Sequence, residues 1–352
     1  MSKYNAIGLM SGSSMDGLDI AYCEFEFKDN KWSYKILYAE TYKYDEEWYL
    51  TLKHLAKADA LKIQKIHFSY GELLARFVNN FINKYKIKVN LIASHGHTIF
   101  HEPASNFSYQ IGDGQTIAYH TGVKTICDFR SKDILFGGQC APLVPIGDKL
   151  LFSDFDFCLN IGGITNISFN ENSKRIAFDI SGANQILNHL SNQFGKPYDE
   201  NGRIAQLGKM NKQLFDTLND DEYFLMKNPK SLSNHYVEKH FIKLVDEFNC
   251  SIEDKLFTVC KHIAYQINNS VKKHESGDLL ITGGGAYNTF LINAIKRETH
   301  HHIVIPDSSL IEFKEALIFA FMGVLRSLGE INCLASVTGA KKDSSCGVIN
   351  DI

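Results

Sequence analysis

The sequence has no C-x-x-C pair, no phosphate-binding G-x-x-x-x-G-K-[ST] run, little charge excess and no long apolar stretch. Each absence removes a class of protein. The eight cysteines (Cys23, Cys127, Cys140, Cys158, Cys250, Cys260, Cys333 and Cys346) are scattered through 352 residues. A chain of that length has no need of disulfide staples, so the thiols read as reduced and mostly buried. The balance of 37 basic against 40 acidic residues gives a net charge of −3 and lacks the basic excess of a nucleic-acid binder. A hydrophobic share of 44% with only six prolines excludes disorder. The longest apolar run, Ala316 to Leu325, is half the roughly 20 residues that span a bilayer. The opening MSKYNAIGLMSG lacks the layout of a secretory signal. The expectation is a cytoplasmic protein with neither nucleic-acid nor membrane partners. Lack of the P-loop run excludes that nucleotide-binding class, and GGGAYN near the C-terminus is not the G-x-G-x-x-G of a dinucleotide fold.

The length predicts two domains. Apolar, β-rich segments at Tyr4–Met10 and Leu18–Phe27 flank the turn formers SGSSMDG and read as a hairpin, followed by a third strand at Trp32–Tyr44. Residues 46–87 switch to helical spacing, with Leu52, Leu55, Ile63, Ile66, Leu73, Leu74, Phe77 and Phe81 on one face. Strands follow at Val89–Ala93 and Val123–Cys127. From 128 to 148 the chain (DFRSKDILFGGQCAPLVPIGD) has no period and reads as an inter-domain crossover. The opening plan then recurs: strands at Phe155–Asn160, Ile164–Phe169 and Arg175–Phe178, a helix over 252–274, a strand at Leu279–Ile281, a helix from Thr289, a strand at His302–Ile305 and a helix at Phe313–Leu328. Alternation of this kind predicts an α/β fold in two pseudo-repeated halves. The expected boundaries are 1–128, completed by 329–352, and 129–328.

Four glycine turns follow strands. Gly12 to Asp19 (GSSMDGLD) offers close backbone approach, hydroxyl donors and two carboxylates, Asp16 and Asp19, that suit magnesium on a phosphate; an ordinary hairpin turn is the alternative. Asn160 to Gly163, Ile180 to Asn184 and Thr282 to Gly285 are the others, and together they resemble an anion and nucleotide cradle. Asp179 closes the apolar run RIAFD just before one of these turns and can accept a proton from a hydroxyl or water, or cap the next helix, although Ser181 is better spaced as the cap. His95 and His97 alternate, which predicts one strand face. With His101 they lack a completing cysteine or carboxylate, so polar or structural contacts are expected rather than zinc. His300 to His302 read as a solvated face. No Ser-His-Asp or Cys-His grouping has catalytic spacing.

The ordered set MSGSSMDGLD, SHGHTIFH, ICDFRSKDILFGGQCAPLVP, LNIGGITNIS, AFDISGAN, YDENGRIA, PKSLSNHYVE, ITGGGAYN and KEALIFA resembles the anhydro-N-acetylmuramic acid kinases, of the acetate kinase, sugar kinase, Hsp70 and actin superfamily. The resemblance runs from about Ile7 to Ala320. It implies two actin-like (ribonuclease H-like) domains with a nucleotide-binding interdomain cleft. The implied reaction phosphorylates the sixth oxygen of 1,6-anhydro-N-acetylmuramic acid with ATP and magnesium while water opens the ring. The product is N-acetylmuramic acid 6-phosphate, in peptidoglycan recycling. By motif, Gly12, Ser13, Ser14, Met15, Asp16, Gly17, Leu18 and Asp19 would hold phosphates and magnesium. Gly162, Gly163, Gly283, Gly284 and Gly285 would line the nucleotide, and Asp179 would be the base. His95, Asp128, Arg130 and Glu315 would approach sugar or phosphate. A homodimer is implied as well. The chain departs from the family pattern at Ile180 to Asn184 (usually Thr-Gly-Pro-Gly-Asn), at His97 (usually glutamine) and at Ser231 to His235 (usually Ser-Thr-Gly-Arg-Glu). These changes bear on the sugar, and they leave room for a kinase of another sugar or a non-catalytic sugar-binding regulator.

Overall fold

The structure, a computed structural model, describes residues 2–12, 15–228 and 230–352. The expected phosphate contacts Ser13 and Ser14 lie outside the described residues. The chain divides into two compact units, Met1–Leu151 with Phe313–Ile352, and Phe152–Glu312.

The first unit is built on a six-stranded sheet. Its strands are β1 (Ser2–Met10), β2 (Gly17–Lys28), β3 (Lys31–Lys43), β4 (Ile92–Ser94), β7 (Thr125–Cys127) and β13 (Val348–Asn350), in the order β3-β2-β1-β4-β7-β13. The glycine-flanked turn brings β1 and β2 together antiparallel, with Met10 opposite Asp19. β4 and β7 lie parallel to β1. The helical spacing of residues 60–85 buries Leu73, Leu74, Val78 and Phe81 against Ile7, Leu9, Leu18 and Ile20 of the sheet. Asp59 caps that helix through the Lys62 N–H (2.9 Å). A separate two-stranded ribbon, β5 (His97–Glu102) with β6 (Phe107–Ile111), was not expected from the sequence.

The second unit holds β8 (Phe157–Ile161), β9 (Ile164–Glu171), β10 (Lys174–Gly182), β11 (Asp278–Thr282) and β12 (His302–Val304), in the order β10-β9-β8-β11-β12. The first three pair antiparallel, while β8, β11 and β12 run parallel. The order and directions of β3-β2-β1-β4-β7 are thus repeated, which is the α/β, actin-like (ribonuclease H-like) arrangement that the resemblance implied. The helix Ile252–Val271 buries Leu256, Val259, Ile263, Ile267 and Val271, the face that the spacing predicted. Ser251 caps it through the Asp254 N–H (3.1 Å).

The division falls at Leu151/Phe152 and Glu312/Phe313 rather than at the expected 128/129 and 328/329. Packing explains the difference. Residues 129–151 contain short helices, Ser131–Leu135 and Pro145–Leu150, and Gly147 lies under Ile318. From Phe313 onward the helix Ser308–Ser327 presses on the first sheet: a Cβ on Gly8 would stand 1.8 Å from the Ala316 carbonyl, and one on Gly323 2.6 Å from Ala93. All eight cysteines are free and six are buried. Among the described residues no helix is long and apolar enough to cross a membrane.

Candidate active site

Most candidate residues lie where parallel strands end, the usual position for ligand contacts in α/β sheets. In the first unit, β1 passes through Ser11 and Gly12 into the turn, where the Met15 N–H reaches the Gly12 carbonyl (3.3 Å) and Met15 has φ +55°. The Asp16 carbonyl accepts from the Tyr44 N–H (3.3 Å). Gly17 opens β2, and a Cβ there would lie 2.7 Å from the Tyr42 carbonyl. Leu18 is buried in the core, so its side chain faces apolar neighbours rather than a ligand. One oxygen of Asp19 accepts from the Thr41 hydroxyl (2.6 Å).

Behind this turn lies a polar network with no sequence signature. The Tyr44 hydroxyl donates to Ser11 Oγ (2.9 Å) and meets the Tyr70 hydroxyl (2.6 Å), while Ser11 Oγ meets His97 Nδ1 (3.0 Å). Burial pushes Tyr44 up to about 12 and His97 down to about 4, so both are neutral near pH 7. The network fixes Ser11, and with it the start of the glycine turn, without adding charge.

β4 ends at Ser94. His95 and His97 do not share a strand face, because Gly96 adopts φ +71° between them and breaks the strand. His95 Nδ1 faces the Gly96 carbonyl (3.0 Å) and Nε2 faces Arg130 Nη2 (2.9 Å). Burial, then the Arg130 charge, holds His95 well below the usual histidine range. The neutral ring therefore carries its proton on Nδ1 and accepts from the guanidinium through Nε2. Arg130 also donates through Nη1 to the Cys140 carbonyl, and its buried Nε has no partner among the described residues. Glu315 belongs to the same group. Burial raises its carboxyl and the Asp19 charge adds to the rise, while Lys314 and Arg130 oppose it. Lys314 itself pairs with Asp148 at 2.7 Å, both side chains being 5% exposed. Asp128 has φ +51° and accepts from the Ser131 N–H (3.1 Å) and hydroxyl (2.8 Å). It shares a cavity of about 250 Å³ with His67, His95, Gln110, Asp113 and Asn350. His101 bonds Ser108 at 3.2 Å instead of joining the other histidines.

In the second unit the glycine turns converge. The Gly162 carbonyl accepts from the Asn184 N–H (3.1 Å), the Gly163 carbonyl from the Ala183 N–H (2.9 Å), and Asn184 Nδ2 donates to the Ile161 carbonyl (3.2 Å). Gly283, at φ +81°, packs so that a Cβ would lie 2.6 Å from Asn160 Oδ1, and one on Gly285 would lie 2.2 Å from Ile161. Gly284 and Gly285 line a cavity of about 500 Å³ with Asn184, Tyr198, Asp199 and Tyr287. Ser181 does not cap the helix Asn184–Gln193, because Ala183 occupies the cap and the Ser181 hydroxyl is buried without a partner.

β10 does not stop at Asp179. It continues to Gly182 through a register slip between Asp179 and Ser181. One carboxylate oxygen, Oδ2, accepts from the Leu232 N–H (2.8 Å). Burial raises this carboxyl to about 6, and the Leu232 bond holds it down in part. A group tuned so close to neutrality is suited to proton transfer. The structure therefore groups His95, Arg130 and Glu315 in the first unit, with the Asp19 charge acting on Glu315, and brings Gly162, Gly163 and Gly283 to Gly285 together in the second, where Asp179 is held by residues 223, 230 and 232 instead. Among the described residues no group of three or more His, Cys, Asp or Glu side chains forms a metal site.

The family model described as anhydro-N-acetylmuramic acid kinase matches residues 4–351. Curated relatives of that name include one from Sulfurimonas denitrificans, 32% identical over 97% of this chain and 98% of its own. Another, from Actinobacillus pleuropneumoniae serotype 7, is 33% identical over 99% of each chain. Among solved structures, the Acidaminococcus fermentans (R)-2-hydroxyglutaryl-CoA dehydratase component A is 13% identical with a TM-score of 0.49, over 92% of this chain and 99% of that one.

Proposed function

We infer the chemistry from one premise: the chain belongs to the anhydro-N-acetylmuramic acid kinase family. It is an ATP-dependent sugar kinase that phosphorylates 1,6-anhydro-N-acetylmuramic acid with hydrolytic opening of the anhydro ring, a step of peptidoglycan recycling. The similarity runs the full length of both chains, which does not favour a kinase of another sugar or a non-catalytic binder.

The roles of individual residues are our proposal, and the observation that carries it is Asp179, a partly buried carboxylate held by one N–H and raised to about 6. At pH 7 it is ionised yet only mildly stabilised. It takes the proton from a water whose oxygen bonds the anomeric carbon. The bond from that carbon to the sixth oxygen breaks, and that oxygen accepts the γ-phosphoryl group while ADP leaves. Phosphoryl transfer needs mainly positioning and charge neutralisation. In the first unit, Gly12 to Asp19 offer backbone and carboxylate contacts for the phosphates, and His95, Asp128, Arg130 and Glu315 offer polar contacts to sugar or phosphate. In the second, Gly162, Gly163 and Gly283 to Gly285 are backbone without side-chain obstruction, suited to ATP.

Magnesium is part of this proposal. Asp16 and Asp19 are hard oxygen ligands of the kind that a magnesium ion takes. Two carboxylates match an ion that keeps waters and phosphate oxygens as its other ligands. When bound, it offsets the phosphate charge. A homodimer and a cytoplasmic location are proposed from family resemblance, and sedimentation of the purified protein tests the former.

The deciding experiment is coupled ADP release with 1,6-anhydro-N-acetylmuramic acid, ATP and magnesium across about pH 5–9. Turnover should fall about tenfold per pH unit on the acid side of a limb near pH 6, where Asp179 becomes protonated. Turnover confined to a different sugar overturns the substrate, and a profile flat through pH 6 overturns the base.

A further inference from the structure

β10 is an edge strand, so its outward-facing backbone groups need partners from outside the sheet. At Asp179 those partners come from residues 223–232. The Asp179 N–H donates to the Lys230 carbonyl (3.0 Å), the Tyr223 hydroxyl donates to the Asp179 carbonyl (2.6 Å), and the Leu232 N–H donates to the carboxylate (2.8 Å). One short segment thus grips the residue at its N–H, its carbonyl and its side chain.

Its ends are set in the core, where Leu232 is buried and Phe224 packs against Phe241 and His262. Tyr223 is buried, but Leu225 and Met226 are 85% and 56% exposed. What closes it is the Lys230 ammonium. Lys230 Nζ donates to the Tyr223 carbonyl (3.0 Å), stands 4.3 Å from the centroid of the Tyr223 ring and 5.6 Å from that of Phe224. It forms no ion pair with a carboxylate among the described residues. A half-buried lysine charge is costly without such compensation, and the carbonyl and ring faces supply it.

We propose that Lys230 is a positioning residue for the general base: its ammonium buckles residues 223–232 into the loop that holds Asp179 by three hydrogen bonds. The inference rests on reading Asp179 as the base. A base must be placed within about 0.5 Å to be effective, and a misplacement of about 1 Å costs on the order of 10²-fold. Loosening the buckle also admits water to the carboxylate. The titratable groups packed around this loop are Tyr223, Lys230 and Tyr236, with Asp221 bonded to the Tyr236 hydroxyl and His240 stacked on the Tyr236 ring. The residue opposite Asp179 on β9 is Asn166, which does not titrate.

The test compares wild type with Lys230→Met, Lys230→Arg, Tyr223→Phe and Asp179→Asn by steady-state kinetics over pH, with thermal melting of each. Lys230→Met should lower kcat about 10–100-fold, leave KM for ATP within about twofold, and displace the acid limb from its wild-type position, because both the burial of the carboxyl and its Leu232 bond change. Lys230→Arg, which keeps a donor and a cation for the ring, should return kcat to within about threefold of wild type. Tyr223→Phe, which removes only the bond to the Asp179 carbonyl, should show the same limb shift with a smaller kcat loss. Wild-type kcat and limb in Lys230→Met overturn the proposal. So does a kcat loss with an unmoved limb, which marks mere destabilisation. If Asp179→Asn is inactive while Lys230→Met behaves as wild type, the base reading stands and only the positioning role falls. Turnover by Asp179→Asn overturns both.

Discussion

The two units present their candidate residues in opposite electrostatic styles. In the first, charge is answered by charge: Arg130 bonds His95 and faces the Glu315 carboxyl, on which Asp19 also acts, and Lys314 is paired with Asp148. In the second, the Asp179 carboxylate is answered by a single backbone N–H, and the candidate nucleotide turns are glycine. The contrast fits the two tasks of the reaction. Anionic phosphates and a polar sugar call for fixed charges, whereas a proton acceptor works best when nothing nearby stabilises its ionised form too strongly. The same topology carries both because function sits in the strand ends and loops, while the shared sheet order supplies only the frame.

The contrast is open to attack at three points. The largest effect is expected at Asp179. Asp179→Asn keeps an acceptor for the Leu232 N–H but cannot take a proton, so kcat should drop about 10²–10⁴-fold with ATP binding, measured by calorimetry, little changed. A drop of only a few-fold would make the second unit's carboxylate as structural as any in the first. Next is the buried pair. Asp148→Ala removes a buried partner of the Lys314 charge and should cost about 3–5 kcal/mol of unfolding free energy in denaturant titration. A loss below about 1 kcal/mol, the range of a surface pair, would remove the pair from the comparison.

The smallest effect concerns stability against pH. The Asp179 carboxyl titrates at about 6 in the folded protein, against an ordinary 3.8. Between those values the folded state binds more protons than the unfolded one, so this group's contribution to stability declines as pH rises and is gone above 6. Asp179→Asn removes an ionised group that burial disfavours. After discounting for partial exposure, it should be more stable than wild type by about 1–2 kcal/mol near pH 8, the gain shrinking as pH falls toward 4. A variant less stable than wild type at pH 8 would show that Asp179 is held by more than backbone donors.

Much of the frame was legible in the sequence because period and punctuation coincide. The SGSSMDG turn between apolar runs gave the β1–β2 hairpin, and the spacing of Leu256 to Val271 gave the buried face of the helix Ile252–Val271. Four things were not legible. The unit boundaries depend on close packing of Gly8 and Ala93 against a helix more than 200 residues away in the chain, which leaves no local signal. The β10 register slip carries the strand past Asp179, where the glycine that follows suggested a turn. The contacts of Tyr223, Lys230 and Leu232 with Asp179 run largely through backbone atoms, which any residue possesses, so the sequence pointed to Asp179 as a candidate base without showing what holds it. Ser11, Tyr44, Tyr70 and His97 were obscured for another reason: their hydroxyls and ring meet only after two strands and a helix have packed.

The first unit is discontinuous in the chain, and one face of its sheet stays uncovered until the segment from Phe313 onward seats on Gly8 and Ala93. During synthesis at about 5–20 residues per second, the intervening second unit takes on the order of 10–30 s to emerge. The second unit, uninterrupted, is complete first, while the nascent segment 1–151 waits with β1 bare on one face. The protein's most exposed moment is therefore on the ribosome, and shortening its C-terminus should harm the part that was made earliest.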